Sequence, residues 1–158
     1  MNRQSVKDLL KDKKFEEALK ICKKWVNAEP KNGEAYAYTA FAHDSLGYER
    51  EAIPYYEKAL TLDLPPPLRK EVLLGLGSTY RSIGNYDKAK EILNIGMKEF
   101  PDAKEFLVFY SIVLHNLNQH TEALSMLLKT LIETTTNKDI KKYERALSFY
   151  ADHLDEIW

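Results

Sequence analysis

The 158-residue sequence predicts an all-α chain of stacked helix-turn-helix repeats, on three observations. Ala18, Ala52, Ala89 and Ala123 recur at intervals of 34, 37 and 34 residues, and Val6, Ala40, Gly77 and Ser111 stand twelve residues before them. A period of about 34 with small residues at two fixed phases marks stacked helical hairpins. Between those phases the apolar residues keep helical spacing: Leu73, Leu76, Gly77, Tyr80 and Ile83, then Tyr86, Ala89, Leu93 and Gly96. Six glycines and six prolines are few, which suits helices joined by short turns. The small residues have a steric role. Two helices of one hairpin approach closely only where no large side chain separates them, so Ala40 is expected against Ala52 and Gly77 against Ala89.

The repeats are read as about 4–31, 32–65, 66–101 and 102–135 of one domain spanning 1–158. In the first, Ser5 and Asp8 signal a helix start. Trp25 stands where the other repeats carry Ala59, Gly96 and Thr130, and so wide a side chain fits an open end better than a tight stack. The second repeat turns at Gly47. Its second helix contains Pro54, which removes one backbone hydrogen bond and bends the helix gently. The surplus of the 37-residue interval is Pro65-Pro66-Pro67, which either lengthens the loop or adds a turn to the next helix. The third repeat breaks at Gly84-Asn85, where glycine takes the left-handed conformation and asparagine caps the following helix. It stops at Pro101.

In the fourth, Asp102 and Glu105 form a capping-box signal. Residues 132–137 interrupt the pattern. Thr136 and Asp139 then cap a last helix, about 137–157, with Ile140, Tyr143, Leu147, Tyr150, Leu154 and Ile157 on one stripe. With no partner helix behind it, this helix is expected to cover the last repeat's apolar face.

Composition narrows the function. A chain 44% hydrophobic and 30% charged is a soluble folded protein. Its net charge of −1 argues against a polyanion as partner for the whole chain. Residues 1–31 carry nine Lys or Arg against five Asp or Glu, but Asp8, Asp12, Glu16 and Glu17 interleave the lysines, which disfavours nucleic acid. The single Cys22 closes no intrachain disulfide, which suits a reducing compartment. No signal-peptide core opens the chain, and the longest apolar run, Phe106 to Leu114, falls short of the roughly 20 residues that span a bilayer. A cytoplasmic protein, not membrane-bound, is expected.

Catalysis finds no footing: there is no Gly-rich phosphate loop, nucleophile elbow or inward pair of carboxylates, and no cofactor is implied. Cys22 shares a packing phase with Tyr56, Leu93 and Leu127, so a buried inert thiol is expected. The histidines have no metal-site spacing. His115 and His120 would lie about 140° apart on a continuous helix, with a turn between them besides. His43 is expected to pack between hairpins, and His153 to sit at a charged helix end.

The stretches GEAYAYTAFAHDSLGYEREAIPYYEKALTLD and EVLLGLGSTYRSIGNYDKAKEILNIGMKEFP resemble tetratricopeptide repeats, the second through Leu76-Gly77, Tyr80, Gly84, Tyr86, Ala89 and Pro101. The fourth repeat fits at Ser111, Leu114 and Ala123 but has Asn118 where glycine is usual; the first fits at Phe15, Ala18 and Pro30. The resemblance covers about residues 4–131 and extends to small stand-alone bacterial proteins of this family. It implies a right-handed α-α superhelix whose concave groove, lined by the first helix of each hairpin, binds a peptide or partner protein. Carried over by position, the groove stripe is Ala37, Phe41 and Asp44, then Leu74, Ser78 and Arg81, then Val108, Ile112, His115 and Asn116. Of these, Phe41, Asp44, Leu74, Ser78, Arg81, Val108, Ile112 and His115 are the candidate partner contacts.

Such a mixture suits an amphipathic helix or an extended apolar peptide with a few polar anchors. The clamp that grips chaperone C-termini in some relatives maps to Arg3, Lys7, Tyr38, Glu71 and Gly75, or in the next register to Ala37, Phe41, Gly75, Glu105 and Phe109. Glutamates stand where cations are needed, which disfavours a chaperone-tail adaptor. Other readings stay open. The fourth repeat's first helix is apolar all round, so the C-terminal helix could cover its groove side, giving a structural protein with a closed groove. The basic first repeat could associate with nucleic acid, and the Trp25 end could support weak self-association in place of a monomer.

Overall fold

Positive backbone φ angles fall at the period the alanines set. In the computed structural model, which describes residues 3–158, they occur at Lys13 (58°), Gly47 (75°), Gly84 (80°) and Asn118 (61°). Each closes one hairpin: α1 (Arg3–Lys11) with α2 (Phe15–Ala28), α3 (Gly33–Ser45) with α4 (Glu49–Leu60), α5 (Pro66–Ser82) with α6 (Tyr86–Glu99), and α7 (Glu105–Asn116) with α8 (His120–Thr134). Glycine takes this conformation without a Cβ clash, and asparagine is among the few other residues that visit it readily. The short α9 (Lys138–Lys141) and α10 (Glu144–Asp152) follow. All regular structure among the described residues is helical, and no helix there is long and apolar enough to cross a membrane.

The chain divides into two compact units, one ending at Ile92 and the other running from Leu93 to Trp158. In the first, α1 packs on α2, α2 on α3, α3 on α4 and α4 on α5, and α3 also meets α5. Val6, Ala18, Ala40, Ala52 and Ala89 are fully buried at the two small phases. Ala89→Leu is therefore expected to overpack its site and cost roughly 1–3 kcal/mol; an unchanged thermal midpoint would contradict that steric role. The proline surplus resolves as helix. Pro66 and Pro67 are the first residues of α5, which reaches 17 residues against 13 in α3. Asn32, unforeseen from sequence, caps α3 by accepting from the Glu34 and Ala35 amides at 3.0 and 3.3 Å.

Trp25 departs from expectation. It is 4% exposed and stacks on Tyr38 at 6.2 Å, so it is a core residue and presents no open end. Cys22 is buried as expected, and burial pushes its thiol up to about 12, only partly offset by a hydrogen bond with Thr39. Three helices are tied at Asp44 of α3. Its carboxylate accepts from the Tyr56 hydroxyl of α4 at 2.8 Å and from the Thr79 hydroxyl of α5 at 2.9 Å. Gly75 leaves room for that tie, since a Cβ there would lie 2.6 Å from the Tyr56 hydroxyl oxygen.

His43 is buried and stacks on Tyr55 at 5.2 Å, with Tyr48 at 6.3 Å, so its ring partners belong to its own hairpin. Neither ring nitrogen has a hydrogen-bond partner. Burial holds its pKa below the usual imidazole value; Lys23 acts in the same direction and Glu51 against it. With the folded pKa lowered, the unfolded chain binds the extra proton first. His43 therefore contributes stability that is complete above about pH 6.5 and declines as pH falls below it. His43→Phe is expected to flatten the fall in thermal midpoint between pH 7 and 5.5. An equal fall in both proteins would rule this out.

In the second unit α7 packs on α8, and α8 on α10. Phe106 is fully buried, stacks on Phe100 at 6.4 Å and lies against Gly96. Three sequence expectations fail in this unit. The Asp102–Glu105 capping box does not form, because α7 starts at Glu105 behind Lys104 with no side-chain cap. Asn137, in place of Thr136, caps α9 through the Asp139 and Ile140 amides.

The single C-terminal helix over 137–157 is broken at Lys142-Tyr143 and ends at Asp152, leaving Ile157 99% exposed. Ile140 is only half-buried and Tyr143 is exposed, so no packing holds one helix straight across the break. The segment still caps the last repeat, since α10 packs on α8, but it leaves part of the apolar face open: Cys22, Tyr56 and Leu93 are 0–1% exposed, while Leu127 at the same phase is 37% exposed.

Candidate functional site

A cleft of about 370 Å³ opens in the first unit among the first helices of its hairpins. Tyr38 and Phe41 of α3 form its floor, Lys7 and Arg3 of α1 one wall, and Leu68 and Glu71 of α5 the other. Periodicity explains the floor, because Tyr38 and Phe41 are three apart and share one face of α3. Two irregularities complete it. Trp25, occupying a phase that is small elsewhere, backs Tyr38; Tyr38 meets Phe41 edge-on at 5.8 Å, and Phe41 meets Tyr56 edge-on at 5.7 Å. This aromatic row fixes the two floor rings from behind. The extra turn of α5 brings Pro65 and Pro67 to the rim.

The walls carry opposite charges. Arg3 pairs with Glu34 at 3.1 Å, and the Lys7 ammonium lies 5.9 Å over the Tyr38 ring. Glu71 is exposed on the facing wall. The arrangement offers an apolar floor for a side chain and a cationic edge for an acidic group.

Of the candidate contacts, only Phe41 lines this cleft. Asp44 is occupied by Tyr56 and Thr79, and burial raises its pKa although both hydrogen bonds lower it. It is an internal tie, not an exposed anchor. Leu74, Ser78 and Arg81 are half-buried along α5. In the second unit Val108 is exposed, Ile112 is half-buried and His115 is exposed.

His115 is not isolated from His120. Their rings lie 4.7 Å apart with the two Nδ1 atoms at 3.0 Å, one donating to the other. The angular separation of a continuous helix does not apply, since Asn118 turns the chain and sets the end of α7 against the start of α8. Among the described residues no group of three or more His, Cys, Asp or Glu side chains is placed to hold a metal ion.

A larger cleft, about 660 Å³, lies between α8 and α10, with Leu107, Met126 and Ile132 in its lining. Its charges are engaged within the unit, Lys129 with Asp152, Lys104 with Glu133, and Lys141 with Glu144. No candidate contact lines it. Size alone does not make it the better site.

A family model described as tetratrico peptide repeat matches residues 33–154. Among curated proteins, Hsp70-Hsp90 organizing protein 1 of Glycine max is 30% identical over 105 residues, 66% of this chain. The chain spans only 18% of that relative's length. Among solved structures, YrrB, described as a TPR protein with an unusual peptide-binding site, matches 96% of this chain and 76% of its own at TM-score 0.71 and 18% identity. The Naa15/Naa10 complex bound to HypK-THB matches 98% of this chain and 25% of its own at TM-score 0.54 and 17% identity. At these identities the structural likeness establishes the fold: an all-α solenoid of hairpin repeats.

Proposed function

The chain belongs to the tetratricopeptide-repeat family, and from the chemistry of the cleft in its first unit we propose that it is a recognition module for an extended peptide segment of a partner protein. Proteins of this family commonly mediate protein–protein interaction and are generally non-catalytic scaffolds. The observation that carries the finer reading is the pairing of the Tyr38–Phe41 floor with the Arg3–Lys7 wall. An apolar side chain of the peptide rests on the floor, and a carboxylate beside it faces Lys7. YrrB is a peptide-binding relative in fold, which supports a peptide as ligand. A cytoplasmic setting accords with the single buried thiol.

A cleft of this size and exposure suits micromolar affinity, about −8 kcal/mol. The test is fluorescence anisotropy with three labelled pentapeptides: one pairing leucine or phenylalanine with aspartates, one pairing it with lysines, and one apolar and uncharged. Expected is micromolar binding of the acidic peptide alone, weakened by added salt. Phe41→Asp and Lys7→Glu should each weaken it at least about tenfold. Preference for the lysine peptide, or binding unchanged by either substitution, would refute the reading.

A further inference from the structure

The α7–α8 turn holds the backbones of His115 and His120 in fixed positions. The Leu114 carbonyl accepts from the Leu117 and Gln119 amides at 3.1 and 2.9 Å, and the His115 carbonyl accepts from the Asn118 amide at 3.0 Å. Val113 and Leu114 before the turn are fully buried, and Ala123 after it is 5% exposed, so both helix ends are anchored in the core. The two rings project from this anchored turn and are exposed. A neutral imidazole has one protonated nitrogen and one with a lone pair. Moving each proton to Nε2 turns both facing Nδ1 atoms into potential metal ligands.

Their separation selects the ion. Metal–nitrogen bonds of about 2.0–2.1 Å set two adjacent nitrogens about 2.9 Å apart at the right angle of a square or octahedral ion, and about 3.3 Å apart at a tetrahedral angle. The observed Nδ1–Nδ1 distance of 3.0 Å matches the right angle. Square and tetragonal nitrogen sites suit Cu²⁺ and Ni²⁺, whereas Zn²⁺ prefers a tetrahedron. The end of α7 attracts a cation and the start of α8 repels one, so the two helix dipoles offset each other. Among the described residues no third His, Cys, Asp or Glu is placed to join the pair, which leaves the remaining coordination positions to water.

We propose that His115 and His120 form a two-histidine site for copper(II), and more weakly for nickel(II), which clamps the α7–α8 turn through both Nδ1 atoms. Neither residue lines the peptide cleft, so the site stands or falls independently of the proposed ligand. Two neutral ligands without a carboxylate hold an ion modestly, and a Kd on the order of 10 µM is expected.

Isothermal titration of the full chain with copper, nickel and zinc salts, each alone and near neutral pH, is the primary test. One equivalent of copper per chain is expected, with nickel bound more weakly and zinc more weakly still. The paramagnetic resonance spectrum of the copper form should be axial, with splitting from two nitrogens. His115→Gln and His120→Gln should each weaken copper binding at least about tenfold, because one imidazole alone loses the advantage of chelation. His153→Gln should leave it unchanged, since the Nδ1 of His153 already donates to the Phe149 carbonyl at 2.7 Å. Circular dichroism verifies that each variant is folded.

A second readout is stability. An ion that joins α7 to α8 binds the folded hairpin in preference to the unfolded chain, so nickel should raise the thermal midpoint of wild type and not that of either glutamine variant. Copper binding that survives in the folded His115→Gln/His120→Gln double variant would mark an adventitious ion only and overturn the proposal. Zinc bound more tightly than nickel, or no copper binding up to about 1 mM, would overturn it as well.

Discussion

Gly96→Ala is expected to lower the thermal midpoint by about 2–8 °C, although alanine is the better helix former. A Cβ at Gly96 would lie 2.1 Å from Cε1 of Phe106, 2.5 Å from its Cδ1 and 2.6 Å from its Cζ. No real contact is that short, so the Phe106 ring would have to move. It cannot swing into solvent, because it is fully buried and stacked on Phe100. Overpacking of this kind costs about 1–3 kcal/mol and occasionally more; the gain in helix propensity, about 1 kcal/mol, offsets only part of it. For a chain of this length each kcal/mol moves the midpoint by about 2–4 °C.

A double-mutant cycle separates the clash from other effects. Phe106→Leu alone should destabilise by leaving space, and combined with Gly96→Ala it should recover part of the loss, giving a favourable coupling energy. Additive losses would show that the ring and the glycine do not constrain one another. Gly96→Ala with an unchanged midpoint would show that the helices are not closely packed there.

That contact explains why so much of the fold is legible in the sequence. Close approach of two helices demands a small residue at one position per helix, and the demand repeats with the hairpin. It leaves Ala18, Ala52, Ala89 and Ala123 at intervals of 34, 37 and 34 residues, and the left-handed turns at Lys13, Gly47, Gly84 and Asn118 keep the same intervals. Periodicity fails where it reports what could be buried instead of what is. The stripe from Ile140 to Ile157 is helical in spacing, yet only part of it finds a partner, and the chain breaks where burial stops.

The cleft is less legible because it arises from departures from the repeat. Trp25 and Pro65–Pro67 break the pattern, and both build the site, one behind the floor and one at the rim. Arg3, Lys7, Tyr38 and Glu71 are visible in sequence at clamp positions, but the mixed charges there argue against a clamp and draw attention away from a different acidic ligand. A stripe transferred equally to every hairpin includes Phe41, which lines the cleft, and Asp44, which Tyr56 and Thr79 hold inside the unit. Position specifies where a side chain sits on its helix, and not whether a neighbour already holds it.

Asp44 supplies the other large expected effect. Tyr56 is almost fully buried, and its hydroxyl donates to Asp44 at 2.8 Å. Thr79 has a second acceptor, the Gly75 carbonyl at 2.8 Å, so it is the tyrosine that depends on this carboxylate. Asp44→Ala strands a buried hydroxyl, at about 1–3 kcal/mol, and leaves a void besides. Asp44→Asn retains an acceptor and should cost much less.

Its pH dependence has a definite sign. Burial raises the Asp44 pKa first of all; the Tyr56 and Thr79 hydrogen bonds oppose this, and Glu49 adds to it. A folded pKa above the unfolded value near 3.9 means that this group's contribution is complete below that pH and is lost as pH rises through the folded value. The asparagine variant, neutral throughout, should therefore gain on wild type as pH rises from about 4 to 7. Urea unfolding of both proteins across that range reads the difference directly, and effects common to the two cancel. A difference that moves the other way would mean that the hydrogen bonds outweigh burial and that the carboxylate is stabilised in its charged form. Tyr56→Phe in the Asp44→Ala background completes the argument: with the hydroxyl gone, most of the alanine penalty should go with it, and a penalty that persists would assign the loss to packing and not to the tie.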